Sequence, residues 1–116
     1  MKGGHHDRLF RLAMSKYETA IRTTPDNYYM LNHYADILTD FGKLKAEAQE
    51  KCSEYFEKAF QKYKVAKNFG AILELGKLIE NLNIWKDRKK LLHLAIDCYR
   101  ETVNTDDMNF EAYRKF

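Results

Sequence analysis

The chain has 116 residues, of which 45% are apolar and 32% charged, and its formal net charge is +3. This length suits one domain with a modest core, and the composition is that of a globular protein. No apolar run approaches the ~20 residues that span a bilayer, and no signal-peptide pattern is present. We therefore expect a protein of the cytoplasm or of the cytosolic face of an organelle.

The chain contains one proline and five glycines, so few residues interrupt its helical patterns. Residues 1–6 are predicted to be a flexible polar leader, and residues 7–116 one helical domain. The spacing of apolar residues predicts helices over about 7–23, 28–41, 45–64, 67–81 and 87–103, with a short sixth helix over 108–116.

The stretch 13–42 sets the pattern for the rest of the chain. Its first helix stops at Pro25, because proline lacks an N–H group and disfavours helix in the preceding residue. Asp26 and Asn27 offer side-chain oxygens that cap the next helix. That helix is expected to end at Gly42, which readily adopts the left-handed conformation of a helix C-terminus.

Residues 43–51 are strong helix formers without proline or glycine, so they are predicted to lengthen the third helix. A second lengthened helix is expected after residue 83. The basic residues of 43–67 alternate with glutamates, which is typical of a solvated helix face. This pattern makes nucleic acid an unlikely partner. Cys52 and Cys98 lie within helical patterns and are expected to be reduced core residues.

The apolar stripes repeat at a fixed interval. Leu31, Ile72 and Tyr113 follow one another at 41 residues, and Cys52 and Ala95 are 43 residues apart. Such a period marks stacked helix pairs, each of which cannot bury its apolar face alone. The period alone fits the ~40–47 residues of HEAT and armadillo repeats better than the 34 of tetratricopeptide repeats. The expected fold is an all-α antiparallel helix-hairpin solenoid.

The residue pattern, by contrast, resembles the tetratricopeptide-repeat family over about residues 8–116. Small, aliphatic and aromatic residues recur at the spacings of that family's motif. They are Ala13, Tyr17, Ala20 and Pro25; Leu31, Tyr34, Ala35, Leu38 and Gly42; Cys52, Phe56 and Ala59; Ile72, Leu75, Gly76 and Ile79; Ala95 and Tyr99. The units lack the family's opening tryptophan, and only the first ends in proline. Of the small positions, Ala20, Ala35, Ala59 and Gly76 should lie where helices cross closely.

The resemblance implies a protein-interaction or scaffold module, in which the first helix of each unit lines a concave groove for a peptide or a partner's helix. The lining would be Tyr29, Asn32, His33, Asp36, Leu73, Lys77, Glu80, Glu111 and Arg114. Acids at Asp36, Glu74 and Glu111 occupy places where family members that clamp chaperone tails carry cations and amides, so that ligand is not expected. A narrower implication is the receptor domain of an organellar protein-import system.

No catalytic residues are predicted, and no cofactor or metal ion is expected. His33 and His93 each stand alone on a helix, without the partners of a zinc motif. His5 and His6 belong to the polar leader. The sequence also lacks the glycine-rich motifs that bind nucleotides.

An alternative function depends on a basic patch formed by Trp85, Lys86, Arg88, Lys89 and Lys90. One aromatic ring among cations can stack on a base while the cations hold phosphates, so this patch would serve RNA or an anionic surface. The competing interpretation, which we favour, buries Trp85 and leaves the charges in water.

The end of the chain is expected to permit self-association. Phe110, Tyr113 and Phe116 form an apolar stripe on a helix too short to cover all of the apolar face of the fifth helix, and an uncovered apolar face favours association.

Overall fold

The computed structural model describes residues 4–82, 84 and 87–105, with side chains for 7–82, 84 and 87–101. Its helices are α1 (Gly4–Thr23), α2 (Tyr28–Glu47), α3 (Ser53–Val65), α4 (Phe69–Asn81) and α5 (Arg88–Thr105). The described residues contain no strand, which confirms the expected all-α class for them. The predicted sixth helix lies outside the described residues. None of the described helices is both long enough and apolar enough to cross a membrane.

Consecutive helices pack as antiparallel pairs. At one end of the α1–α2 pair, Lys45 lies 2.6 Å from the carboxylate of Asp7, and the ring centroids of Phe10 and Phe41 are 5.2 Å apart. The Tyr34 hydroxyl contacts Glu18 at the other end. Helix α2 pairs with α3, and α4 pairs with α5, in the same way. Helix α3 also packs against α4 and α5.

The helices α3 and α5 run side by side in the same direction. Near their beginnings Lys90 binds Glu57 at 2.8 Å, and near their ends Lys64 binds Glu101 at 2.9 Å. A single core runs through these packed helices. Its largest fully buried side chains are Phe41, Phe56, Phe60, Leu31, Leu38, Ile72, Ile79, Leu91 and Cys98.

The end of α2 differs from the prediction. The helix continues through Gly42 to Glu47, and α3 begins only at Ser53. The helix-forming stretch 43–51 therefore lengthens α2, which has 20 residues, and not α3, which has 13. Gly42 is buried inside α2, where a Cβ atom would lie 2.8 Å from Cε1 of Phe56. Its role is close helix packing and not termination.

Residue Gln49 closes α2 instead. It has φ of 59°, and its N–H donates to Ala46 O while the N–H of Glu50 donates to Lys45 O. These two bonds form the motif in which a left-handed residue satisfies the last carbonyls of a helix. Lys67, with φ of 57°, closes α3 through the same pair of bonds. Neither helix uses glycine there, which is why the sequence did not reveal these ends.

The caps of α2 and α4 lie 41 residues apart, which is the interval between Leu31 and Ile72. Asn27 Oδ1 accepts a hydrogen bond from the N–H of Met30, and Asn68 Oδ1 accepts one from the N–H of Ala71, both at 3.1 Å. Each amide thereby satisfies a backbone donor that the helix itself leaves unpaired. Equivalent residues thus begin equivalent helices, as the apolar spacing predicts.

The small residues are mostly where the sequence places them. Ala35 and Ala59 are fully buried and Gly76 is buried, whereas Ala20 is half-buried. Cys52 and Cys98 are also buried, and burial raises the pKa of both thiols. A raised thiol pKa disfavours the reactive thiolate, as expected for core cysteines.

Candidate functional site

The predicted groove residues of α2 share one side of that helix. Tyr29 is 71% exposed, and its ring centroid lies 4.2 Å from that of His33. The His33 ring in turn stacks on Tyr17 of α1, with centroids 6.4 Å apart. Tyr29 is thus an exposed aromatic side chain, whereas His33 joins α1 to α2.

Two other predicted groove residues of α2 make contacts within the fold. Asn32 Oδ1 accepts a hydrogen bond from Asn68 Nδ2 at 2.9 Å, which ties the beginning of α2 to the cap of α4. Asp36 accepts a hydrogen bond from the hydroxyl of Tyr63 on α3. The pKa of Tyr63 is raised mainly by burial and, to a smaller extent, by the hydrogen bond to the Asp36 carboxylate. These contacts give both residues a structural role.

The predicted groove residues of α4, namely Leu73, Lys77 and Glu80, are exposed. Lys77 lies 3.6 Å from Glu74 on the same helix. Both α2 and α4 pack against α3, but within the described residues they do not pack along each other. The structure therefore presents two exposed stripes joined at Asn32 and Asn68. Glu111 and Arg114 lie outside the described residues, and binding at this face stays a prediction.

A groove that the sequence did not indicate runs between α1 and α3, with α2 beneath it. Its walls are Arg11, Ser15, Glu18 and Arg22 of α1 and Glu54, Lys58 and Lys62 of α3, and its floor includes Met14, Leu38 and Tyr34. We call it the α1–α3 groove. It consists of two adjoining concavities of about 210 and 610 Å³, which share Glu18 and Lys58.

The wider part of the α1–α3 groove combines cations with apolar surface. Arg22, Lys58 and Lys62 line it together with Ile21, Pro25 and Tyr34. Lys62 Nζ lies 5.8 Å from the centre of the Tyr34 ring, within the range of a cation–π contact. Burial and the hydrogen bond to Glu18 raise the pKa of Tyr34, whose hydroxyl donates to that carboxylate.

A second open concavity lies between α3 and α5 and has a volume of about 580 Å³. Its walls include the ion pair of Glu57 with Lys90, and His93, Leu94 and Asp97 of α5. Lys58 and Lys62 lie between this concavity and the α1–α3 groove and line both. The face formed by α1, α3 and α5 therefore carries two neighbouring grooves separated by lysines.

The alternative basic patch is largely engaged where the structure describes it. Arg88 donates to the backbone carbonyl of Leu82, and Lys90 binds Glu57. Hydrogen bonding to Glu57 raises the pKa of Lys90. Lys89 is exposed, and Trp85 and Lys86 lie outside the described residues. The described part of the patch thus offers phosphate few uncommitted cations.

The remaining histidines do not form a metal centre in the described part of the chain, where no group of three or more His, Cys, Asp or Glu side chains is arranged to hold an ion. His93 is exposed in the α3–α5 concavity. The side chains of His5 and His6 are outside the described set.

The sequence contained part of the signal for the α1–α3 groove. Arg11, Ser15, Glu18 and Arg22 recur at intervals of four, three and four, so they share one side of α1. Lys58 and Lys62 do the same on α3. The sequence pattern predicts a solvated face for the alternating charges of α3, and only the packing of α1 and α3 on α2 shows that the two stripes face each other across a groove.

Comparison with known proteins adds no relative. No protein-family model matches the chain, and neither curated proteins nor solved structures give a match.

Proposed function

We propose that this chain is a protein-interaction module, a helix-hairpin solenoid of tetratricopeptide type that binds a peptide or a helix of a partner protein. The observation that carries the proposal is the α1–α3 groove, an open channel with two helical walls and a third helix as its floor. Concave surfaces that combine apolar side chains with a few charged ones are typical binding sites.

The arrangement of the helices supports the solenoid part of the proposal. Antiparallel pairs follow one another along the chain, and Asn27 and Asn68 cap α2 and α4 at the 41-residue interval. Stacked helix pairs of this kind create extended binding surfaces. The import-receptor role and the cytosolic location stay narrower predictions from the family resemblance.

Exposed apolar side chains outside the core also support a binding role. Tyr29 and Leu73, on the predicted groove face, are 71% and 39% exposed. Large exposed apolar side chains are common on protein surfaces, so only their combination with a concave face is informative. We therefore propose the α1–α3 groove as the binding face, with the predicted face on α2 and α4 as the alternative.

The experiment that tests the function is capture from an extract of the source cell with the immobilised full chain. We expect one or a few proteins to be enriched, and the enrichment to survive nuclease treatment. The matched control is Ala35→Arg, which places a charge at a fully buried position and so unfolds the chain. Capture that nuclease abolishes, or that the control reproduces, would contradict a protein-interaction function.

A further inference from the structure

We infer that the α1–α3 groove binds an extended acidic segment of a partner protein, an inference that rests on the proposed function and specifies its site and ligand chemistry. The groove extends along α1 from Arg11 to Arg22. Eleven residues of helix rise by ~17 Å, which equals the length of about five residues of extended peptide.

The small floor of the groove favours an extended chain over a helix. Tyr34 and Leu38 at its floor are only 2% and 1% exposed, so the groove offers a ligand little floor surface. A helix with side chains has a diameter of ~10–12 Å and needs a broad apolar floor on which to lie. An extended peptide instead points alternate side chains to opposite sides, so one set can reach Ile21 and Pro25.

Charge selects an acidic ligand. In the wider part of the groove, three cations, Arg22, Lys58 and Lys62, face one carboxylate, Glu18. Glu18 already accepts the hydrogen bond of the Tyr34 hydroxyl. The ion pair of Lys58 with Glu54 is long, at 3.7 Å, and exposed to water, so it is weak. Arg22 and Lys62 make no ion pair among the described residues. Carboxylates of a ligand would supply the missing partners.

The same residues disfavour nucleic acid. A phosphate backbone is bound by a continuous row of cations, whereas Glu18 and Glu54 interrupt the row here. Single-stranded nucleic acid also needs exposed rings on which bases stack. Among the described residues, the aromatic rings that line the groove belong to Tyr34, which is buried and hydrogen-bonded, and Tyr55, which is half-buried. A peptide with separate acidic and apolar side chains fits this surface better.

The test is a titration of the isotope-labelled full chain, followed by amide nuclear magnetic resonance. The probe is a short synthetic peptide in which glutamate and leucine alternate. Comparison probes are the same peptide with lysine in place of glutamate, and single-stranded polyuridine. We expect the acidic peptide to shift the amides of Ile21, Arg22, Lys58 and Lys62, and the lysine version to leave them unchanged.

A pair of variants with the same change in net charge sharpens the test. Lys58→Gln with Lys62→Gln should weaken peptide binding about tenfold, since exposed charge pairs contribute little individually and both are lost. Lys16→Gln with Lys51→Gln, at exposed positions outside the groove, should leave the affinity unchanged. Circular dichroism and the thermal midpoint verify that both variants fold.

The outcomes separate this inference from the proposed function. Shifts at Tyr29, Asp36 and Leu73 in place of the groove would overturn the inference and leave the function standing. Equal weakening in both variants would overturn it by showing a non-specific charge effect, as would tighter binding of polyuridine than of the peptide. If the folded chain binds no peptide while the capture experiment succeeds, the ligand chemistry inferred here is wrong.

Discussion

The hairpins α2–α3 and α4–α5 each place a glycine of their first helix against their second helix, but the two contacts are unlike. A Cβ atom at Gly42 would lie 2.8 Å from Cε1 of Phe56, and one at Gly76 would lie 3.6 Å from Cβ of Ala95. The first distance is a clash and the second is ordinary contact. Gly42 and Gly76 are 34 residues apart and so do not occupy equivalent positions in the 41-residue interval, and at each of them the side chain on the facing helix decides whether a Cβ atom is tolerated.

The largest effect is expected for Gly42→Ala. The added methyl group overlaps the fully buried ring of Phe56, which the core holds in place. Overpacking costs ~1–3 kcal/mol, and the better helix propensity of alanine returns up to about 1 kcal/mol of that. We therefore expect a loss of about 1–2 kcal/mol in the free energy of unfolding, measured by urea denaturation.

The matched control is Gly76→Ala in the other hairpin. Its methyl group has room, so helix propensity should raise the free energy of unfolding by about 0.5–1 kcal/mol. A double-mutant cycle with Phe56→Leu adds a second control, because Gly42→Ala should cost much less once the ring is gone. Equal effects of the two glycine substitutions would show that the hairpins do not differ as described.

A smaller gain is expected for Gln49→Gly, at the residue that closes α2. Gln49 has a positive φ, which costs an ordinary L-residue roughly 1–2 kcal/mol, whereas α4 ends at Leu82 in an extended conformation. Glycine removes that cost but loses more entropy on folding, so the net gain should be about 0.5 kcal/mol. Gln49→Ala keeps the strain and should give no gain. If both substitutions stabilise equally, the left-handed conformation at this position is wrong.

Burial raises the pKa of a tyrosine in each hairpin, but Tyr63 is buried whereas Tyr99 of α5 is half-buried, so Tyr63 should ionise at the higher pH. Tyr63 of α3 is buried and donates to Asp36, and both effects raise its pKa above the usual 10.0. Because the folded pKa is raised, the stabilisation is complete below pH ~10 and is lost as the pH rises further. An ultraviolet absorbance titration should show phenols that ionise only as the chain unfolds. Their number should fall by one in Tyr63→Phe, and an unchanged titration curve would contradict this assignment.

Local signals in the sequence predicted much of the fold. Pro25 and Asn27 predict the boundary between α1 and α2. The spacing of Leu31 and Ile72 predicts a 41-residue interval, and the caps of α2 and α4 lie at that same interval. These features depend on one segment of chain at a time. The proline restricts its own neighbourhood, and an apolar stripe marks the buried side of a helix whatever covers it.

What the sequence missed depends on contacts between segments. Gly42 was interpreted as a helix end because glycine commonly occupies that position, but the Phe56 ring gives it another use inside α2. The α1–α3 groove needs the relative position of two helices that are separated by α2. Arg22 and Lys62 are forty residues apart in sequence, and no periodicity within either helix relates them.

The most direct test of the binding face is photo-cross-linking to the captured partner from two positions. A photoreactive phenylalanine analogue replaces Ser15 on the wall of the α1–α3 groove or, in a second variant, Tyr29 on the outer side of α2. Both positions are exposed, so the analogue should not disturb the fold. We predict that the partner polypeptide cross-links from position 15 and not from position 29. Cross-linking from position 29 alone would contradict the account and move the binding site to the α2–α4 face.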